Sequence, residues 1–237
     1  MNVITPSGTI FSDADIQILK LMAAYGFVRR SETPFKLKSG IFSHVYVSGR
    51  EDFTDHSDLE WPIGEKIARK VWEYARPEDR QPCLIGIPTA GTALAQAAAM
   101  ASFRMERRKT DLPINHRLMR EVQKWYGAHQ HSWVNGKPDL ARHTYWMVDN
   151  VATDGQSKIE ATEKLAQDGY PVNDMPCLIF IDRQQGAIAQ LERAGFRRIV
   201  VVYNLLDITY ALGEIDIWPK SMVSAVEEEI HAHQFSK

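Results

Sequence analysis

Apolar positions along this chain follow two rhythms. Behind Ser12 and Asp15, the residues Ile16, Leu19, Met22 and Ala23 recur at helical spacing, which predicts a first helix opened by a capping box and ending near Gly26. Ile63, Ile67 and Val71 repeat that spacing and predict a helix entered at Ser57 and Glu60 and closed before Pro77. Elsewhere the apolar residues run together. Leu84 to Pro88, Tyr145 to Val148, Cys177 to Ile181 and Ile199 to Tyr203 read as short buried strands. Helical runs alternate with them: an alanine-rich one after Thr92, one through Ile159, Ala161 and Leu165 ending at Gly169, and a short one from Leu205 to Leu212. This alternation predicts an α/β fold, a mostly parallel sheet flanked by helices, with ligands at the carboxyl ends of the strands.

Two stretches depart from the rhythm. Around a Ser-Gly turn, Val45 and Val47 alternate as in an exposed strand, and residues 1–56 are expected to form a first helix and a small hood beside a core of residues 57–237. Residues 118–140 have little periodicity and many polar or glycine positions, as in a mobile loop over a site. The acidic, histidine-containing end from Glu227 to His233 reads as a solvated helix face without chemistry.

Composition narrows the classes. The 237 residues suit one sizeable core. Lys plus Arg number 28 and Asp plus Glu 30, a net charge of −2, so no nucleic-acid partner is expected and any phosphate binding must come from local geometry. Cys83 and Cys177 each precede an apolar run and read as small core residues. No secretory leader and no apolar run of membrane length is evident, and a cytoplasmic protein without membrane contact is expected.

Candidate chemistry gathers where strands end. After Tyr145 to Val148 come Asp149 and Asn150, then Thr153, Asp154, Gly155, Gln156 and Ser157 before a helix. A glycine turn at a helix start can aim main-chain N–H groups and the positive helix end at an anion, most often a phosphate. The same residues also suit an ordinary capped turn. Thr89 and Gly91 repeat the arrangement after Leu84 to Pro88, as a second anion cradle or as a close-packed turn. His129 and His131 lie two apart without acidic or cysteine companions, a spacing more typical of solvated side chains than of a metal site.

Five segments in order then resemble one family, the orotate phosphoribosyltransferases, type I phosphoribosyltransferases by fold. They are Phe35-Lys-Leu-Lys38-Ser39-Gly40 with Ser43, Tyr46 and Arg50; the Gly-Ile-Pro-x-x-Gly run of residues 86–91; Arg120-Glu-Val-Gln-Lys124-Trp-Tyr126-Gly127; the run from Asp149 to Ser157; and Asp182-Arg183-Gln-Gln-Gly186. The resemblance implies transfer of a ribosyl 5-phosphate from phosphoribosyl pyrophosphate to orotate, with Mg²⁺ on the donor and no metal site of the protein's own. It implies Lys124 and Arg120 at the departing pyrophosphate and Asp149 and Asn150 at the ribose hydroxyls. Thr153 to Ser157 would hold the phosphate, Thr89 and Gly91 the pyrophosphate, Arg183 the orotate carboxylate, and Lys38 and Ser39 would also bind substrate. A homodimer in which one subunit's loop serves its neighbour is implied as well.

Four positions depart from the family pattern: Ala90 and Glu121 each stand where a lysine is frequent, Asn150 replaces an acid, and Asp154 puts a carboxylate in the phosphate turn. At about 5 Å and an effective dielectric near 20, a like-charge pair there costs about 3 kcal/mol, so the Asp154 side chain is expected to splay outward to water. The alternative reading is a catalytically weakened or regulatory protein of the same fold that binds phosphoribosyl pyrophosphate or a nucleotide; a transferase for another base is a third.

Overall fold

In the computed structural model, which describes residues 2–37, 40–76, 80–106, 111–127 and 130–234, the chain begins as a two-stranded ribbon of β1 (Val3–Ile4) and β2 (Ile10–Phe11). Helix α1 (Asp13–Tyr25) then starts on the expected capping box. Ser12 Oγ accepts from the Asp15 N–H at 3.3 Å, the Asp15 carboxylate accepts from the Ser12 N–H at 3.1 Å, and Gly26 closes the helix in the left-handed region. An antiparallel hairpin follows, β3 (Val28–Lys36) and β4 (Phe42–Val47), leading to the single turn α2 (Glu51–Thr54). Ser43, Val45 and Val47 turn inward and alternate with exposed Phe42 and His44. Helix α3 (Ser57–Tyr74) begins at Ser57, but His56 holds the cap position and no side chain bonds there, so the Ser57 and Glu60 signal marked the boundary without supplying the cap.

The remainder alternates as predicted. In chain order come β5 (Gln81–Gly86), α4 (Ala90–Arg104), β6 (Asn115–Leu118), β7 (His143–Ala152), α5 (Gln156–Gln167), β8 (Cys177–Asp182), α6 (Ala187–Arg193), β9 (Ile199–Asn204), α7 (Leu205–Glu214) and α8 (Ser221–Ala232). Among the described residues β6-β5-β7-β8-β9 form one parallel sheet in that order. After β5 the chain pairs β6 on one side and then returns to place β7 on the other. The crevice between β5 and β7 is therefore the topological switch point, where open parallel sheets bind ligands.

Successive residues of β7 face opposite layers. Trp146 and Val148 join a core with α1, α3, α4, α7 and α8, whereas Tyr145 and Met147 pack with α5 and α6. The first of these layers also contains Phe11, Leu19, Phe27 and Val45, so the hairpin and α1 share the hydrophobic core of the sheet. One polar knot ties that layer together: Asp15 meets Lys66 Nζ at 2.6 Å and accepts from Tyr203 OH at 2.6 Å. Burial works against the Asp15 charge, but hydrogen bonds from Lys66, Tyr203 and Ser12 outweigh it and hold the carboxyl below its ordinary value. Burial pushes the thiol of Cys83 up to about 11 and that of Cys177 to about 12, as suits core residues.

Candidate active site

Strand β7 runs further than its apolar stretch. Val151 pairs with Ile181 and Ala152 with Asp182, so the strand continues past the expected Val148 and holds Asp149 and Asn150 in the sheet. Gly155 then takes φ +84°, which only glycine adopts without strain, and the first turn of α5 begins at Gln156. A cavity of about 440 Å³ opens over this bend. Its walls include Leu37, Tyr46, Val47, Ser48 and Arg50 of the hood, Ile87 and Pro88 after β5, and most of the stretch from Asp149 to Glu160, together with Arg183.

The residue that organises this site had no place in the sequence reading. Lys158, in the first turn of α5, is buried, and its Nζ lies 2.6 Å from Asp149 Oδ2 and 3.2 Å from Ser157 Oγ while donating to the Val151 carbonyl. Ser157 Oγ donates to the same carboxylate oxygen at 3.3 Å, and Asp149 Oδ1 accepts from the Asn150 N–H at 2.9 Å. Asp149 is thereby fixed at the cavity wall with its charge balanced. Its signal lay in the spacing: Lys158, Ala161 and Leu165 form one buried stripe of α5.

Asn150 donates through Nδ2 to the Ser48 carbonyl of the hood. An amide is required there, because an ionised carboxylate has no proton to offer and would face the carbonyl oxygen. Asp52 shapes the same crossing by accepting from Ser48 Oγ at 2.6 Å, the Gly49 N–H at 3.1 Å and the Arg50 N–H at 3.2 Å. Asp154 does not splay outward as expected. Its Oδ1 accepts from the Gln156 N–H at 3.1 Å, so an internal carboxylate caps one of the amides expected to meet the phosphate.

Arg183, at the tip of β8, is also buried. Its guanidinium donates to Val45 O at 2.9 Å, Ser43 Oγ at 2.7 Å, Gln185 Oε1 at 3.2 Å and Glu229 Oε1 at 2.8 Å. Burial pulls the arginine below its ordinary value, and Glu229 works in the other direction. Glu229 belongs to α8, so the expectation of a solvated helix face over residues 227–233 fails at Glu229, which is paired with Arg183. Burial likewise pushes the neighbouring Asp182 carboxyl up.

The other expected residues are placed differently. Gly91 packs against β7 so closely that a Cβ would come within 2.3 Å of the Val148 carbonyl, and neither Gly91 nor Thr89 lines the cavity; the turn is close-packed, with a cis peptide between Pro88 and Thr89. Arg120 and Lys124 do not line it either. Their segment doubles back on itself, the Arg120 N–H bonding to Trp133 O at 2.7 Å and the His131 N–H to Lys124 O at 2.6 Å. Its base is pinned by Asp168, which accepts from the Trp133 and Val134 N–H groups at 2.8 and 2.7 Å. Lys38, Ser39 and His129 lie outside the described residues. Among the described residues no cluster of three or more His, Cys, Asp or Glu side chains is arranged to hold a metal ion, and no helix is long and apolar enough to cross a membrane.

No protein-family model matches the chain. The orotate phosphoribosyltransferase of Aeropyrum pernix is 31% identical to it over 196 residues, 83% of this chain and 93% of that one. The chain belongs to the orotate phosphoribosyltransferase family. A second family member, from Nostoc, is 25% identical over 204 residues, 85% of this chain and 91% of its own. The crystal structure of the Aeropyrum pernix orotate phosphoribosyltransferase covers 83% of this chain and 98% of its own with a TM-score of 0.59 and 26% identity. The structure of Leishmania donovani UMP synthase, 19% identical, shares the fold over 94% of this chain and 43% of that chain, with a TM-score of 0.70. In this family member the apolar runs and the turn after β7 thus stand within a common phosphoribosyltransferase fold.

Proposed function

We propose that this chain transfers the 5-phosphoribosyl group of phosphoribosyl pyrophosphate to orotate, giving orotidine 5′-monophosphate and pyrophosphate in pyrimidine biosynthesis. The observation that carries the reading is the buried Asp149 carboxylate at the switch point of the sheet, beside a glycine turn that opens α5 onto a cavity. In the reaction the glycosidic nitrogen of orotate forms a bond to the anomeric carbon as the bond to pyrophosphate breaks, and the ribose carries positive charge in between. Asp149 faces the ribose hydroxyls and that charge, held in one position by Lys158 and Ser157. Main-chain amides of Gly155 to Ser157, with Thr153 beside them, take the 5-phosphate at the positive end of α5, after Asp154 yields the Gln156 amide.

Arg120 and Lys124 are assigned to the leaving pyrophosphate, delivered by loop closure. Neither lines the cavity of its own chain, which supports a homodimer in which the loop acts on the neighbouring site. Mg²⁺ brought with the donor would supply charge that offsets the pyrophosphate, since no cluster among the described residues is arranged to hold a metal ion. Lys38, Ser39 and Arg183 are assigned to the base side, Thr89 and Gly91 to the turn that shapes the pyrophosphate side. On this reading residues 1–56 act as a hood over a catalytic core of residues 57–237. The site of action is the cytoplasm.

Steady-state turnover, followed as the loss of orotate absorbance with donor and Mg²⁺, tests the reading. Turnover with orotate is expected, and Lys124→Ala should lower kcat far more than donor affinity. Donor binding without turnover would instead support a regulatory protein of the same fold.

A further inference from the structure

The Arg183 guanidinium has five N–H groups, and four are committed within the protein. Three acceptors, Val45 O, Ser43 Oγ and Gln185 Oε1, belong to fully buried residues packed behind the cavity wall that Arg183 forms. The fourth is the Glu229 carboxylate, reaching in from α8, a helix whose only buried residues are Val226 and Ile230. A carboxylate ligand that is to pair with Arg183 through two parallel hydrogen bonds needs two N–H groups, and one remains. The neighbouring Gln185 Nε2 is fully buried and has no acceptor among the described residues, so donors exceed acceptors in the buried layer around Arg183. The Gln185 amide cannot be turned over to remedy this, because its oxygen is held by Arg183 Nε.

We propose that Glu229 is an internal competitor at the base end of the site: its carboxylate occupies Arg183 in the unliganded protein, and the carboxylate of the incoming base displaces it. The exchange replaces one carboxylate with another on the same guanidinium, so Arg183 itself loses little. The net penalty falls on Glu229, which gives up Ser43 Oγ at 2.9 Å and the His44 N–H at 3.3 Å as it turns to solvent. A base without a carboxylate has no reason to evict Glu229 and meets an arginine already satisfied. The inference rests on the proposed reaction with orotate and adds to it which residue the acid group must replace.

Kinetics of Glu229→Gln test the exchange. The amide keeps the shape and the bonds to Ser43 and His44 but gives up the charge that competes for Arg183, so the KM for orotate should fall by about tenfold, with donor KM and inhibition by uracil unchanged. An orotate KM that rises or stays put overturns the proposal. In the unmodified protein, hydrogen exchange over residues 221–232 should speed up on addition of orotate, and unchanged or slower exchange overturns it equally, even if the variant does not fold. Failure of the unmodified chain to convert orotate would overturn the functional reading, whereas conversion with an unaltered KM in the variant overturns this inference alone.

Discussion

Replacing Lys158 with methionine isolates the interaction on which the site turns. The side chain is 2% exposed and its partner Asp149 8% exposed, separated by 2.6 Å. Exposed ion pairs are worth about 0–1 kcal/mol, but removing one partner of a buried pair costs about 3–5 kcal/mol because the other charge is left stranded. These exposures place the pair in the second regime. Methionine fills nearly the same volume, so little of the loss can be assigned to a void. For a chain of this size 1 kcal/mol corresponds to about 2–4 °C, and the expected fall in Tm is about 6–20 °C. Adding Asp149→Asn removes the stranded charge and should return most of that fall, though not activity. Thermal unfolding of the wild type, both single variants and the double variant closes the cycle. A Tm change of less than about 2 °C in Lys158→Met would show that the pair is solvated and that Lys158 does not hold Asp149.

Three further outcomes follow from neighbouring geometry. Asn150→Asp restores the acid of the family pattern but loses the donor to Ser48 O and sets like partial charges together, so donor KM should rise; a fall would mean that the hood contact is dispensable. Burial lowers the values of both His116 and His143 beneath the ordinary 6.5, with nearby Arg142 and Arg117 adding to the effect at His143. The unfolded chain therefore binds protons near pH 6.5 that the folded chain refuses, and stability should decline as pH falls from about 7 through the two folded-state values. Urea unfolding at pH 7.5 and 5.5 measures the slope, which His143→Gln should flatten; an unchanged slope refutes the assignment. Gly91→Ala places a methyl 2.3 Å from the Val148 carbonyl and should prevent a folded product or lower Tm sharply, whereas a native Tm would mean that the turn after β5 can open.

Local signals were the legible ones. The Ser12 and Asp15 box needs only residues three apart, and the runs that became β5, β7 and β8 are buried on both faces, with the half-buried edge strand β9 still an unbroken apolar run, so apolarity alone announced them. Strands β3 and β6 left no such trace. Val28–Lys36 is largely polar and exposed, Asn115–Leu118 is an edge strand four residues long, and both owe their conformation to pairing partners. The carboxyl end of β7 was missed for the same reason, since its ladder with β8 and not its own polarity fixes residues 149–152. Glu229 and Arg183 lie 46 residues apart, and no local pattern links an acidic helix to the tip of a strand.

The charges around the cavity explain why so much of the expected cationic machinery lies elsewhere. Arg50, Lys158 and Arg183 line it, and so do Asp149, Asp154 and Glu160, so the described lining is neutral in sum. Lys158 is balanced by Asp149 and Arg183 by Glu229, which leaves little positive field for a donor carrying several phosphate charges. A neutral wall suits the unliganded protein, because uncompensated like charges in a confined space would repel one another. Catalysis makes the opposite demand, for positive charge concentrated at the departing pyrophosphate. A site can meet both only if the cations arrive with the substrate or with a moving segment. On the proposed reaction, Mg²⁺ on the donor and the Arg120 to Lys124 loop would be the two sources, while Asp154 caps the Gln156 amide and Glu229 holds Arg183 in the unliganded chain.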